Sequence, residues 1–139
     1  MPDVVDGAGM ITELTFEIPK SLWLTSNRHI VNLPYRARLV RDLHQLAAAT
    51  ATIARLEPVK GQVHVHWTVR YPKGVRRDKG EASNAQPTTK ALLDGLVPTW
   101  LTDDGPQYVV AETFQRGPNL DEREIHTVRL VMTPQEVPW

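Results

Sequence analysis

The chain predicts an α/β (α+β) domain, a mixed four-stranded sheet packed by two helices in the order β-α-β-α-β-β. Two stretches carry that expectation, and the breaks between them support it. Residues 62 to 71, QVHVHWTVRY, alternate strictly: Val63, Val65, Trp67 and Val69 share one face, and His64, His66, Thr68 and Arg70 share the other. That is the period of a half-buried strand. Residues 34 to 57 instead place Leu39, Leu43, Leu46 and Ile53 at helical intervals, leaving Arg36, Arg38, Arg41 and Asp42 for the opposite face. Turn-forming strings such as TSN and DDGP separate the regular stretches.

The elements follow in order. In TELTFEIP, Leu14, Phe16 and Ile18 alternate with Glu13, Thr15 and Glu17, and Pro19 ends the strand. WLTSNRHIVNLP reads as a loop, because Thr25, Ser26 and Asn27 bond their own backbone in preference to a ladder. Pro34 suits the first turn of the long amphipathic helix that follows. After the strand at 62–71, Pro87 opens a short helix through TTKALLDGL, which Gly95 weakens and Pro98 closes. QYVVAETF (107–114) is rich in β-formers, and EIHTVRLVMT (124–133) sets His126, Val128, Leu130 and Met132 against Ile125, Thr127, Arg129 and Val131, so both read as strands. Residues 1–9 and 134–139 read as irregular tails of a single domain spanning 1–139, with Trp139 a candidate to dock.

With 139 residues, 41% apolar and 23% charged, the chain suits one ordinary domain able to bury a core unaided. The absence of cysteine excludes disulfides, thiolate zinc sites and cysteine nucleophiles, and fits a reducing cytoplasm. The sequence shows no signal-peptide pattern at its start and no apolar run near the roughly 20 residues of a membrane span. The expectation is a soluble cytoplasmic protein with no membrane partner. Sixteen basic and sixteen acidic residues cancel, but they are unevenly placed. Arg70, Lys73, Arg76, Arg77 and Lys79 crowd into ten positions with Asp78 as the single acid, while acids gather between 103 and 124.

Two acidic groups stand at strand ends, where loops on a rigid scaffold assemble sites. Asp78 and Glu81 lie in RRDKGEASN, leaving the central strand, and Asp103 and Asp104 lie in LTDDGPQYV, ahead of the third. Brought together, they would offer the hard oxygen donors that suit Mg²⁺, or Mn²⁺, beside a phosphate. The plainer reading is a turn and a solvated charged loop. Lys90 stands four residues before Asp94, the spacing of a helix-surface ion pair. It also lies near the start of a helix, where a cation can meet a phosphate. His64 and His66 have an H-x-H spacing found in metal sites, yet no cysteine is near to join them. No nucleophile elbow and no glycine-rich phosphate loop is present. The basic loop is suited to DNA backbone phosphates, an interaction that weakens with salt.

From Val63 to Val110 these motifs together resemble the RusA family of Holliday junction resolvases, in the form common in bacteriophages of actinobacteria. In that family a strand runs into R-R-D-x-D-N, then K-A-x-x-D-x-L on a helix, then D-D before the next strand. Here the chain reads RRD at Arg76 to Asp78, SN at Ser83-Asn84, PTTKALLDGL at Pro87 to Leu96 and TDDGPQYV at Thr102 to Val109. The SNR at Ser26 to Arg28 and the helix after it are similar too.

The resemblance implies a RusA-like domain acting as a homodimer on branched DNA, nicking four-way junctions with Mg²⁺. Matched residue by residue, Asp104 takes the place of the family's third catalytic carboxylate, Asp103 is its neighbour, and Lys90 takes the place of the catalytic lysine. Arg76 and Arg77 match arginines that lie along the DNA. The first carboxylate is Asp78 if RRD is aligned, or Glu81 if the count runs back from Asn84. Ser83 stands where many relatives carry the second Asp, and GLVPTW replaces their G-L-V-D-A-G. These departures motivate an alternative, a relative that binds branched DNA or a host protein without cutting.

Overall fold

The structure is a computed structural model that describes residues 12–138; the first tail and Trp139 lie outside the described residues. Its elements are β1 (Thr12–Pro19), α1 (Leu33–Ile53), β2 (Val63–Arg70), α2 (Gln86–Gly95), β3 (Val109–Arg116) and β4 (Ile125–Pro134), the order read from periodicity. Short 3₁₀ turns occupy Lys20–Leu22 and Ala82–Ala85. The strands form one sheet in the spatial order β1-β4-β2-β3. β2 and β3 run parallel with α2 as their crossover, whereas β4 is antiparallel to β1 and to β2, so the sheet is mixed.

Alternation and register together decide what the sheet buries. Leu14, Leu130, Trp67 and Phe114 face one another across the four strands, and Phe16, Val128 and Val69 form the next row. These side chains, with Leu39 and Leu43 of α1 and Leu92 and Leu93 of α2, make one core. The opposite face carries Thr15, Arg129, Thr68 and Gln115 in one row and Glu13, Val131, His66 and Thr113 in another. Both helices therefore cover the apolar face, and the polar face stays open.

Helix α1 begins where Asn32 Oδ1 accepts the Tyr35 amide at 3.0 Å, with Pro34 in the first turn. Its buried ridge is Leu39, Leu43, Ala47 and Ala51, which corrects the expected stripe. Leu46 is only partly buried, and Ile53 is 83% exposed. Ile53 lies two positions past Ala51, about 200° around the helix from the ridge. The small alanines serve α2: a Cβ on Gly95 would come within 2.6 Å of the His44 carbonyl oxygen and 3.0 Å of Ala47 Cβ. The two helix backbones nearly touch there, which glycine permits.

The expected helix end at Glu57 is also corrected, because α1 stops at Ile53. The Leu56 amide donates to Ala51 O at 2.9 Å and the Arg55 amide to Thr52 O at 3.1 Å, with Arg55 at φ 54. This is a Schellman turn, and an arginine holds the left-handed position that glycine usually fills. β3 starts at Val109 because the Tyr108 and Val109 amides are both tied to Gly105 O, and Pro134 joins β4 where the tail was expected to begin.

Candidate active site

Helix α2 is set in place by a buried reciprocal pair. The Leu24 amide donates to Thr88 Oγ1 at 2.8 Å, and the Thr88 hydroxyl donates to Leu24 O at 2.7 Å. Beside it, the Ser26 amide donates to Asn84 O at 3.0 Å. These bonds seat the start of α2 against the loop that follows β1. With Thr88, Thr89, Ala91, Leu92 and Leu93 turned inward, Lys90 is left on the outer face.

There Lys90 Nζ donates to Asp94 Oδ1 at 2.8 Å and, by a shorter bond, to Asp104 Oδ2 from the loop ahead of β3. One ammonium thus joins two carboxylates from different segments. Their crowding separates their titrations. Asp104 is held down to about 2 by its hydrogen bond with the Asp94 carboxyl and by Lys90. Asp94 moves the other way, raised by burial and by the neighbouring Asp104. Lys90 is raised by its bonds to Asp104 and Asp94. As pH falls, then, Asp94 takes up a proton before Asp104 does, and Lys90 stays a cation throughout.

The structure unites Lys90 with Asp104 and adds Asp94, whose spacing from Lys90 in the sequence signalled only a helix-surface pair. It does not bring Asp78 and Glu81 to them. Asp78 is exposed and pairs with Arg76 at 2.7 Å, while Glu81 is exposed at the start of the Ala82–Ala85 turn. Among the described residues no group of three or more His, Cys, Asp or Glu side chains is arranged to hold a metal ion. His64 and His66 meet edge to face, bonded to Thr113 Oγ1 at 2.7 Å and Gln115 Oε1 at 2.9 Å on β3.

The basic loop is held from behind. Arg116, at the end of β3, donates to Lys79 O at 3.3 Å and to Asn119 Oδ1 at 2.8 Å, and Asn119 donates to Val75 O at 2.6 Å. The Tyr71 hydroxyl donates to Glu81 O at 2.9 Å, and the Arg116 guanidinium lies 4.9 Å from the Tyr71 ring centroid. Gly80, at φ +70, packs so close that a Cβ there would meet the Tyr71 ring at 2.8 Å. With its backbone fixed, the loop presents Lys73, Arg76, Arg77 and Lys79 to solvent, while Arg70 turns back to donate to Pro118 O at 3.0 Å.

Tyr71 in turn rests on Trp23 and His126. The His126 ring stacks on Trp23 with centroids 3.9 Å apart and meets Tyr71 edge to face at 5.4 Å. Burial, helped by the charge of Lys20, lowers the His126 imidazole to about 4, and its Nδ1 has no partner among the described residues. A histidine held neutral in the fold, but protonated below about 6.5 when unfolded, contributes stability that is fully present above pH ~6.5 and lost as pH falls toward 4. His126→Phe, which keeps the stack, is expected to flatten that part of the curve. Urea unfolding at pH 7 and pH 4.5 measures it, with a difference between the two proteins of at most roughly 3 kcal/mol.

No known protein family matches the chain, and no curated protein matches it. Among the described residues no helix is long and apolar enough to cross a membrane.

Proposed function

We propose that this protein is a structure-selective endonuclease of the RusA kind, nicking branched DNA, four-way junctions above all, by phosphodiester hydrolysis in recombination, repair or phage DNA processing. The observation that carries the reading is the meeting of Lys90 with Asp104 across fourteen residues of chain. These are the lysine and the carboxylate that the resemblance pairs in one active site. A cavity of about 250 Å³ beside them, lined by Arg36, Gln86, Lys90 and Asp94, opens the cluster to solvent.

The donors fit Mg²⁺ in kind, since that ion needs only one or two carboxylates beside waters and substrate phosphate. Asp104 and Asp94 would hold it, with Asp103 next in sequence, and the resemblance adds Asp78 or Glu81. When bound, the ion supplies a hydroxide at neutral pH and offsets charge at the phosphate. The chain's own groups do the rest. Asp94 accepts a hydrogen bond from Lys90 and holds it in place, Lys90 Nζ donates toward charge building on phosphate oxygens, and the exposed cations of the 70–79 loop hold the backbone. A four-way junction has two related strands to cut, so the active form is a homodimer with an isologous interface. Its place is the cytoplasm of the bacterial host cell.

A second reading has one observation in its favour: Asp78 and Glu81 stand apart from Asp104. A protein with that site would bind branched DNA, or a host protein, without cutting. Incubation with a synthetic four-way junction and divalent metal separates the two, because the first requires nicks and the second gives none.

A further inference from the structure

We infer that the outer face of α1, built from Tyr35, Arg38 and Arg41, is a second seat for the DNA phosphate backbone, separate from the 70–79 loop. The inference rests on the nuclease reading, because it assigns the occupant as a further arm of the same branched DNA. From Arg28 to Arg41 the chain carries four arginines and no carboxylate, in a protein whose charges otherwise balance at sixteen each. The inward ridge of Leu39, Leu43, Ala47 and Ala51 leaves Arg38 and Arg41 on the outer side, and both are exposed.

Among the described residues no carboxylate neutralises their charge. Asp42 stands at i+4 from Arg38, but a cation ahead of an anion is the weaker order for such a pair. The Arg38 guanidinium instead lies over the Tyr35 ring at 5.4 Å, which fixes the fork without consuming its N–H donors. None of the ion pairs among the described residues includes Arg36, Arg38 or Arg41. A guanidinium held flat on a ring, with its N–H donors turned to solvent, suits a phosphate gripped through two parallel bonds.

The shape agrees with that occupant. Arg38 and Tyr35 line a concavity of about 260 Å³ with Asn32 and Pro34. Arg36, about 200° around the helix from Arg38, is turned the other way and lines the cavity that Lys90 and Asp94 share. The α1 face and the 70–79 loop are two separate cationic surfaces, and the Ser26–Asn84 bond ties the loop ahead of α1 to the turn that follows the basic loop. A linear groove needs one such surface. A branched substrate supplies backbone for both.

The test is the salt dependence of binding to a synthetic four-way junction, with chelator present so that no cleavage intervenes. Each phosphate that a variant no longer neutralises makes the slope of log K against log salt shallower by about 0.9. Arg38→Ala with Arg41→Ala should therefore flatten it by about 2, as should Arg76→Ala with Arg77→Ala, while unfolding midpoints stay unchanged. The paired lysine substitutions at 38 and 41 should restore the slope, which no purely structural role would produce. An unchanged slope in the α1 variant, with a flattened one in the loop variant, overturns this inference and leaves the nuclease reading standing. The same unchanged slope accompanied by a shifted oligomeric mass assigns the face to a second copy and overturns it equally. Absence of salt-sensitive junction binding by the parent chain removes the nuclease reading itself.

Discussion

Asp104→Asn is expected to abolish junction nicking, by roughly a hundredfold or more in single-turnover rate, while junction affinity stays within a few-fold of the parent protein. The substitution keeps the shape of the side chain and removes its charge. Asp104 is the carboxylate held ionised down to about 2, and it is the one that reaches Lys90 from the loop ahead of β3. Lys90 would keep its bond to Asp94 one turn away, and the fold should hardly change, since exposed pairs contribute about 1 kcal/mol at most. The basic loop, anchored by Arg116, Asn119 and Tyr71, does not touch Asp104, which is why affinity should survive. Nicking by this variant at the parent rate would remove Asp104 from the chemistry.

The largest expected stability loss lies elsewhere. Trp67→Ala should cost about 3–5 kcal/mol, a large share of the roughly 5–15 kcal/mol that holds a domain of this size together. Trp67 is fully buried on β2, between β4 and β3, in the row that also holds Leu14, Leu130 and Phe114. Removing the indole empties the middle of the core, and neighbours on three other strands cannot all collapse into the space. Trp67→Phe should lose much less. Its only polar loss is the 2.7 Å bond from Nε1 to Glu112, an exposed carboxylate that water can satisfy. Urea unfolding at neutral pH distinguishes the two, with the midpoint falling and the slope unchanged. Similar midpoints for both variants would mean that the core is not centred on this ring.

The strands were legible because a sheet covered on one face imposes period two on its residues, and β2 obeys it without exception. The helix α1 was legible in kind and partly misread in detail. Its ridge runs onto Ala47 and Ala51, which carry little hydrophobic signal, and the conspicuous Ile53 points to solvent. Its end depends on Arg55 in a left-handed conformation, and nothing in that residue type announces one. Strand order was beyond periodicity altogether. The last strand lies between the first and the second, and that follows from tertiary packing.

For the site, periodicity saw Lys90 and Asp94 only as neighbours on a helix. The meeting of Lys90 with Asp104 comes from the return of the chain after α2, which only the resemblance proposed. The supports of the basic loop lay out of reach too, because Arg116 and Asn119 stand some forty residues from the backbone they hold.

Cleavage of a synthetic four-way junction, set against a matched linear duplex, with Mg²⁺, with Mn²⁺ and with chelator, decides whether this protein is a nuclease. A resolvase gives paired nicks confined to the junction and lost with chelator. Salt-sensitive binding with no metal-dependent nicks would contradict the nuclease reading, and would leave a scaffold that grips branched DNA without cutting it.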